Sequence, residues 1–182
     1  EMERVSSYWD WNPRANPNLF YEYFCGTAPT QHLFGLREAL DMILEEGLPH
    51  VWLRHEVLAR AVWASCEAWA QDGPLELNVS DKNSRSRAVT ALSIGAPQGI
   101  QLRKWTEKEA GLTLGIGLGM NTEKDPKAEG FFRIGHMGHV NAQMIMATLG
   151  SIQAGLIALG IPYGSGGLDA AAQVLALSLI HI

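Results

Sequence analysis

The sequence has few cysteines, no basic cluster and no long apolar run. Its two cysteines, Cys25 and Cys66, are too few for a disulfide framework and lack zinc-site spacing, which predicts a reducing compartment, the cytoplasm. The chain carries 14 Lys and Arg against 19 Asp and Glu, a net charge of −5, so nucleic acid is not expected as a partner. No apolar run reaches the roughly 18 residues of a membrane span, so we expect no membrane partner.

Two glycine and histidine patterns fall short of a nucleotide or metal motif. Gly115, Gly117 and Gly119 do not have GxGxxG spacing and lead into a polar loop instead of a helix, which argues against a nucleotide site. His136 and His139 lie three residues apart, so on a strand they would face opposite sides, and no Cys or carboxylate pair completes a metal site. We expect no metal, and structural or rim roles for both histidines.

Hydrophobic periodicity indicates a small α+β domain that follows two long helices. Thr30 is predicted to cap the first helix and Gly47 to end it. The predicted helices are 30–47, 49–70, 100–110, 141–159 and 170–179, and the predicted strands are 75–79, 88–94, 112–118 and 131–137. This order predicts a two-layer sandwich of a small antiparallel or mixed sheet under helices.

Three local patterns carry further predictions. The first 20 residues have no sustained period and are expected to be irregular, and their many rings predict an exposed surface that lacks a neighbouring domain or subunit. His55 and Cys66 lie on or next to the apolar face of the second helix, which favours packing roles for both. The polar loop 80–87 is predicted to contribute no core residue.

The segment Phe131 to Asn141, FFRIGHMGHVN, places one fixed charge inside a run that indicates a buried strand. An arginine stays charged at ordinary pH, so a half-buried Arg133 is expected to face a carboxylate or a phosphate. On spacing alone, the favoured interpretation is an arginine whose stem lies on the sheet and whose guanidinium pairs with Asp or Glu or reaches water. Anion recognition by Arg133 stays open beside it.

Two blocks of this sequence resemble one enzyme family. FRIGHMGHVN, preceded by LTLGIGLGM, looks like the C-terminal signature of the class V aminotransferases, the alanine–glyoxylate and serine–glyoxylate enzymes of pyridoxal-phosphate fold type I. The segment from Gly26 to Ala64 is similar to the part of that family that leaves the large domain. The resemblance covers Tyr8 to about Leu159.

The resemblance implies a domain organisation and a reaction. Residues 1–47 would end the large domain and begin the interdomain helix, 48–72 would form the linking helix, 73–165 the small α+β domain, and 166–182 a helical tail. The activity implied is pyridoxal-phosphate-dependent transfer of an amino group from alanine or serine to glyoxylate or pyruvate. The catalytic lysine and the aspartate that faces the pyridine nitrogen would lie upstream. We therefore expect a C-terminal fragment that does not catalyse alone.

The resemblance also implies two site residues. Arg133 would bind the α-carboxylate of the amino acid or 2-oxo acid substrate. Thr27 matches a threonine that reaches the cofactor phosphate of the opposite subunit, which implies a homodimer. Many relatives have a tyrosine three residues earlier, where this chain has Phe24. A turn residue ahead of the helix is the alternative interpretation of Thr27.

Two functions from other classes remain as alternatives. The α+β sandwich is also typical of non-catalytic regulatory modules that bind an amino acid, and Arg133 would suit such a site. A purely structural dimerisation piece is the third possibility. A self-contained regulatory domain has no use for Tyr8 to Ala70, with its exposed rings and long helices, so the aminotransferase interpretation is favoured.

Overall fold

The computed structural model describes residues 6–119 and 127–178, which divide between two compact units, Glu1–Leu48 and Pro49–Ile182. The helices are α1 (Asn12–Ala15), α2 (Thr30–Glu46), α3 (Leu48–Trp69), α4 (Gln98–Ala110), α5 (Ala142–Ala158) and α6 (Gly167–Ala176). The strands are β1 (Glu76–Leu77), β2 (Val89–Ser93) and β3 (Phe131–Gly135). Short 3-10 turns lie at Phe20–Phe24, Ala70–Asp72, Lys82–Ser84 and Lys127–Gly130. The predicted α+β class is confirmed.

The first unit exposes its aromatic residues, as the composition predicts. Tyr8, Trp9 and Trp11 are 68%, 64% and 75% exposed. The segment predicted to be irregular contains one helical turn, α1, because Pro13 fixes a helical φ near its start. Helix α2 buries none of its 17 residues.

The two ends of α2 differ in how well the sequence predicts them. Gly47 ends the helix with φ +83° and donates its N–H to the Ile43 carbonyl, as expected for a C-terminal glycine. The prediction that Thr30 caps the helix is wrong. Pro29 holds the N-cap position, and the Thr30 hydroxyl contacts the Gln31 side chain at 3.3 Å. Thr30 is the first helical residue, so its side chain lies one position too far along to act as the cap.

The second unit contains one antiparallel sheet in the order β1-β2-β3. Ala91 lies opposite Arg133 and Leu92 lies opposite Phe132. Side chains alternate along β3, so Phe132 and Ile134 enter the core while Arg133 lies on the other face. The register therefore explains how an arginine fits into this strand.

Helices α3, α4, α5 and α6 supply most of the remaining core. Helix α3 contributes a buried stripe at helical spacing, which ends at Trp69. The largest fully buried core residues of the helices are Leu58, Trp69, Leu102, Ile145, Leu149, Ile152 and Leu156. Trp52 does not belong to this stripe, since it is 65% exposed. In the described part of the chain, no helix is long and apolar enough to cross a membrane.

Two sequence predictions for this unit are wrong. Instead of a strand over 112–118, the structure has a single bridge between Gly115 and Arg133, because the glycines weaken extended pairing on either side. The loop 80–87 does contribute a buried residue, since Arg85 is only 7% exposed. Its guanidinium lies 5.6 Å from the Trp63 ring centre and donates to a Glu67 carboxylate oxygen at 2.6 Å.

Candidate functional site

Arg133 is fixed at its stem while the end of its guanidinium stays available. Its Nε donates to the Ile116 carbonyl at 2.6 Å, and its backbone exchanges two hydrogen bonds of 2.9 Å with Gly115. Among the described residues, no carboxylate oxygen lies within 4.0 Å of its nitrogens. The predicted position of the stem on the sheet is observed, whereas the predicted partner carboxylate is not found in this part of the chain.

The glycine-rich segment before β3 makes room for Arg133. A Cβ on Gly115 would lie 3.1 Å from the Arg133 Cβ and 3.2 Å from its Nε. A Cβ on Gly117 would lie 2.8 Å from the Phe131 Cβ. The arginine stem therefore occupies space that a larger residue at Gly115 would fill.

Three exposed apolar side chains lie near Arg133 in the chain or next to its hydrogen-bond partner. Ile116, whose carbonyl accepts from Arg133, is 51% exposed, and Leu118 is 62% exposed. Met137, on the same alternation as Arg133 beyond the end of β3, is 50% exposed. A cation at an apolar rim binds an anion more strongly than it would in open water, because the local dielectric is lower.

A buried hydrogen-bond chain fixes the residue that follows β3. Trp63 Nε1 donates to Thr90 Oγ1 at 3.1 Å, and Thr90 Oγ1 lies 2.9 Å from His136 Nε2. His136 Nδ1 donates to the Arg87 carbonyl at 3.1 Å, which leaves Nε2 as the acceptor of the Thr90 hydroxyl proton. His136 is fully buried, and this burial lowers its pKa below the ordinary value. The structural role predicted for His136 is confirmed.

Helix α3 holds the next glycine, Gly138, from two sides. Gly138 donates its N–H to His55 Nε2 at 3.1 Å, and its carbonyl accepts from Arg54 at 2.8 Å. Arg54 also donates to the Val140 carbonyl at 3.0 Å. Sequence reasoning assigned packing to His55 and did not single out Arg54. The signal available in the sequence was a charged residue on an apolar helix face. In the structure Arg54 is buried, and Gly138 and Val140, to which it donates, lie more than 80 residues away.

Cys66 and Glu67 also have structural roles. Cys66 lies in the core, and burial raises the pKa of its thiol, so the predicted packing role is confirmed. Burial alone would raise the pKa of Glu67, but hydrogen bonds from Lys82 and Arg85 outweigh it and hold that pKa below its usual range. The described residues contain no group of three or more His, Cys, Asp or Glu placed to hold a metal ion.

Thr27 lies in the first unit, in an exposed turn before α2. Cys25 has φ +56° and Gly26 has φ +143°, so the chain turns sharply just ahead of Thr27. The side chain is exposed to solvent. An exposed hydroxyl ahead of a helix suits a phosphate oxygen, so the residue fits the predicted cofactor contact without testing it.

The lysines offer no match to a cofactor-binding amine. Lys82 pairs with Glu67 at 2.8 Å and Lys108 with Glu109 at 3.1 Å. Lys104 and Lys127 are likewise exposed, and Lys124 lies outside the described residues. A lysine that binds an aldehyde is activated by a desolvated pocket or by a neighbouring cation, whereas these amines are exposed to solvent. Thr27 and Arg133 therefore fit parts of pyridoxal phosphate and its substrate, whereas no described lysine fits the aldehyde.

Several curated proteins similar in sequence carry aminotransferase names. The chain is 32% identical over 175 residues to the serine–glyoxylate aminotransferase of Methylorubrum extorquens, covering 94% of this chain and 40% of that protein. It is 32% identical over 167 residues to the serine–glyoxylate aminotransferase of Arabidopsis thaliana, covering 91% of this chain and 39% of that protein. No family model matches. The chain thus spans about two fifths of the length of these relatives.

Solved structures similar to this chain are also aminotransferases. Ureidoglycine–glyoxylate aminotransferase from Bacillus subtilis matches with a TM-score of 0.78 at 26% identity, over 94% of this chain and 42% of that one. Alanine–glyoxylate aminotransferase from Nostoc matches with a TM-score of 0.68 at 26% identity, over 84% of this chain and 38% of that one. The family resemblance drawn from the sequence is therefore confirmed: the chain is homologous, over about 40% of their length, to the class V aminotransferases, which are pyridoxal-phosphate enzymes of fold type I.

Proposed function

We propose that the protein carrying this chain is a pyridoxal-phosphate-dependent aminotransferase that transfers an amino group from alanine or serine to glyoxylate or pyruvate. Its relatives named for serine–glyoxylate and alanine–glyoxylate transfer support this substrate class. The observation that carries the proposal is Arg133, whose stem is fixed by Gly115 and Ile116 and whose guanidinium has no carboxylate partner among the described residues.

In this proposal, Arg133 binds the α-carboxylate of each substrate in turn. Its Nε is already used by the Ile116 carbonyl, so the two terminal nitrogens remain for a paired contact with the carboxylate oxygens. Such a contact fixes the orientation of the substrate's Cα–H bond. Pyridoxal phosphate, when bound, supplies the electron sink for the charge that develops at Cα.

Thr27 serves the cofactor in the same proposal. Its hydroxyl donates to a phosphate oxygen, and the phosphate belongs to the opposite subunit of a homodimer. The exposure of Thr27 and of the aromatic residues near it supports a surface that a second subunit covers.

The test is steady-state kinetics of the full-length protein with alanine or serine and glyoxylate. Replacing Arg133 by Ala should raise KM for the amino acid about 10- to 100-fold and lower kcat, since a hydrogen bond to a charged group contributes about 1.5–3 kcal/mol. Arg133→Lys should recover part of the loss. Arg37→Ala is the matched control, because Arg37 is exposed on α2.

Two outcomes would contradict the proposal. Unchanged KM in Arg133→Ala would remove Arg133 from the substrate site. Saturable alanine binding that depends on Arg133, without transfer of the amino group, would favour the non-catalytic amino-acid-binding module instead.

A further inference from the structure

The segment that joins β3 to α5 is hydrogen-bonded to the rest of the fold at His136 and again at Gly138. His136 bonds to Thr90 and to the Arg87 carbonyl, which ties it to β2 and the residues before it. Asn141 accepts the Met144 N–H and begins α5. Between these two fixed points, Met137 and His139 are exposed, so Gly138 is where the rest of the fold can hold the turn.

Gly138 has φ +90°, a conformation that L side chains rarely adopt. It bonds through both of its peptide groups to consecutive residues of α3, with its N–H to His55 and its carbonyl to Arg54. Arg54 is 4% exposed, so its guanidinium is committed to the interior of the protein. A buried arginine is costly unless its donors are satisfied, and here backbone carbonyls of this turn are among its acceptors.

The hydrogen bonds also fix the form of the His55 ring. Nδ1 lies 2.7 Å from the Val51 carbonyl, which can only accept, so Nδ1 carries the proton. Nε2 then presents its lone pair to the Gly138 N–H. The helix carbonyl of Val51 thus orients the imidazole as an acceptor for the turn.

We propose that Arg54 and His55 are positioning residues for Arg133, because by holding both peptide groups of Gly138 they fix the turn that follows β3 and so support, beside the Gly115 bridge, the position of the guanidinium. Four residues separate Arg133 from Gly138, and among the bonds described none of these four bonds directly to α3. This inference deepens the proposed function, because the importance of the guanidinium position depends on substrate binding there.

The first measurement is amide exchange by NMR in the full-length protein, with His55→Leu compared with His55→Gln. Leucine removes the acceptor, whereas the glutamine carbonyl reaches about as far as Nε2 and can accept the Gly138 N–H. His55→Leu should speed exchange of the Gly138 amide about tenfold or more and weaken protection of the Arg133 Nε–H, and His55→Gln should restore both. His139→Leu, an exposed change in the same turn, should alter neither.

The second measurement is KM for the amino acid in the full-length protein. His55→Leu should raise it about three- to tenfold with a smaller change in kcat, and His55→Gln should return it toward the parent value. Unchanged exchange at Gly138 would overturn the proposed hold on the turn. Faster exchange at Gly138 with unchanged protection of Arg133 Nε–H would overturn the positioning role. If Arg133→Ala itself leaves KM unchanged, the proposed function fails, while the two NMR signals still decide the positioning role.

Discussion

Gly115 and Arg133 lie opposite each other in an antiparallel bridge, and each donates its N–H to the other's carbonyl at 2.9 Å. The glycine leaves space for the arginine stem, which passes over it toward the Ile116 carbonyl. The position of the guanidinium is therefore set by a residue 18 positions earlier in the chain.

Gly115→Ala should displace Arg133 by a few tenths of an ångström, because the new Cβ would lie 3.1 Å from the Arg133 Cβ. A misplacement of about 1 Å in a binding group costs up to about 100-fold, so we expect KM for the amino acid to rise about three- to tenfold. Steady-state kinetics checks this. Gly135→Ala on β3 is the control, since no atom lies within 4 Å of a Cβ built there. Equal KM values in the two variants would contradict the prediction.

Acid should destabilise the fold through His136. Burial lowers its folded-state pKa below the ordinary value of 6.5, so the unfolded chain binds the proton more readily. The free energy of unfolding should therefore fall as pH drops from about 7 toward the folded-state pKa, and this contribution should level off below that pKa. Urea denaturation at stepped pH measures it. In His136→Gln this part of the pH dependence should disappear, and its persistence would assign the effect to another group.

Thr90→Val should lower the free energy of unfolding by about 1–3 kcal/mol, because it leaves the Trp63 N–H and the His136 Nε2 unpaired in the interior. Chemical denaturation checks this. Thr106→Val is a matched control, since the buried Thr106 hydroxyl makes one bond, to the Arg103 carbonyl of its own helix. A loss no greater than that of the control would show that the chain of hydrogen bonds contributes little.

Glu67→Gln should also destabilise the fold by about 1–3 kcal/mol, because Arg85 is buried and would keep its charge without a carboxylate partner. The pKa of Glu67 is held below its usual range, so this contribution should be lost in the parent protein as pH falls through that lowered pKa. Denaturation at neutral and acid pH measures both effects. Glu109→Gln, in the exposed pair with Lys108, should cause no measurable change. A parent-like stability for Glu67→Gln would refute the prediction.

Pyridoxal phosphate followed by borohydride should leave the lysines of this 182-residue chain without a stoichiometric label. The four described lysines are exposed and lack the environment that activates an amine toward an aldehyde. Mass mapping of the reduced protein is the measurement. Stoichiometric label on one lysine would overturn the expectation that the catalytic lysine lies upstream.

Periodicity predicts the strands and helices whose core side chains repeat regularly, such as β2, β3 and α5. It fails for 112–118, because the close packing of Gly115 and Gly117 against β3 depends on the absence of side chains and produces a single bridge. The local sequence around Arg85 is polar and indicates an exposed loop. Its burial depends on Glu67 and Trp63, which only the fold brings close.

The candidate site also has one part that the sequence predicts and another that depends on tertiary packing. A charge in the middle of an apolar strand, together with the family motif, singles out Arg133. Nothing in the spacing reveals that Arg54 and His55 bond to Gly138, because hydrogen bonds across 84 and 83 residues follow from tertiary packing. Sequence thus indicates the proposed substrate-binding residue more readily than the residues proposed to position it.

Strand β3 lies at one edge of the sheet, and among the described residues only Gly115 pairs with its outer side. An open strand edge invites the edge of another molecule to add to the sheet, and a charge at its centre opposes this. We expect the charge of Arg133 to oppose such pairing of one molecule with another. If Arg133 binds substrate as proposed, an apolar replacement would change both substrate affinity and solubility, so a polar substitution separates the two effects.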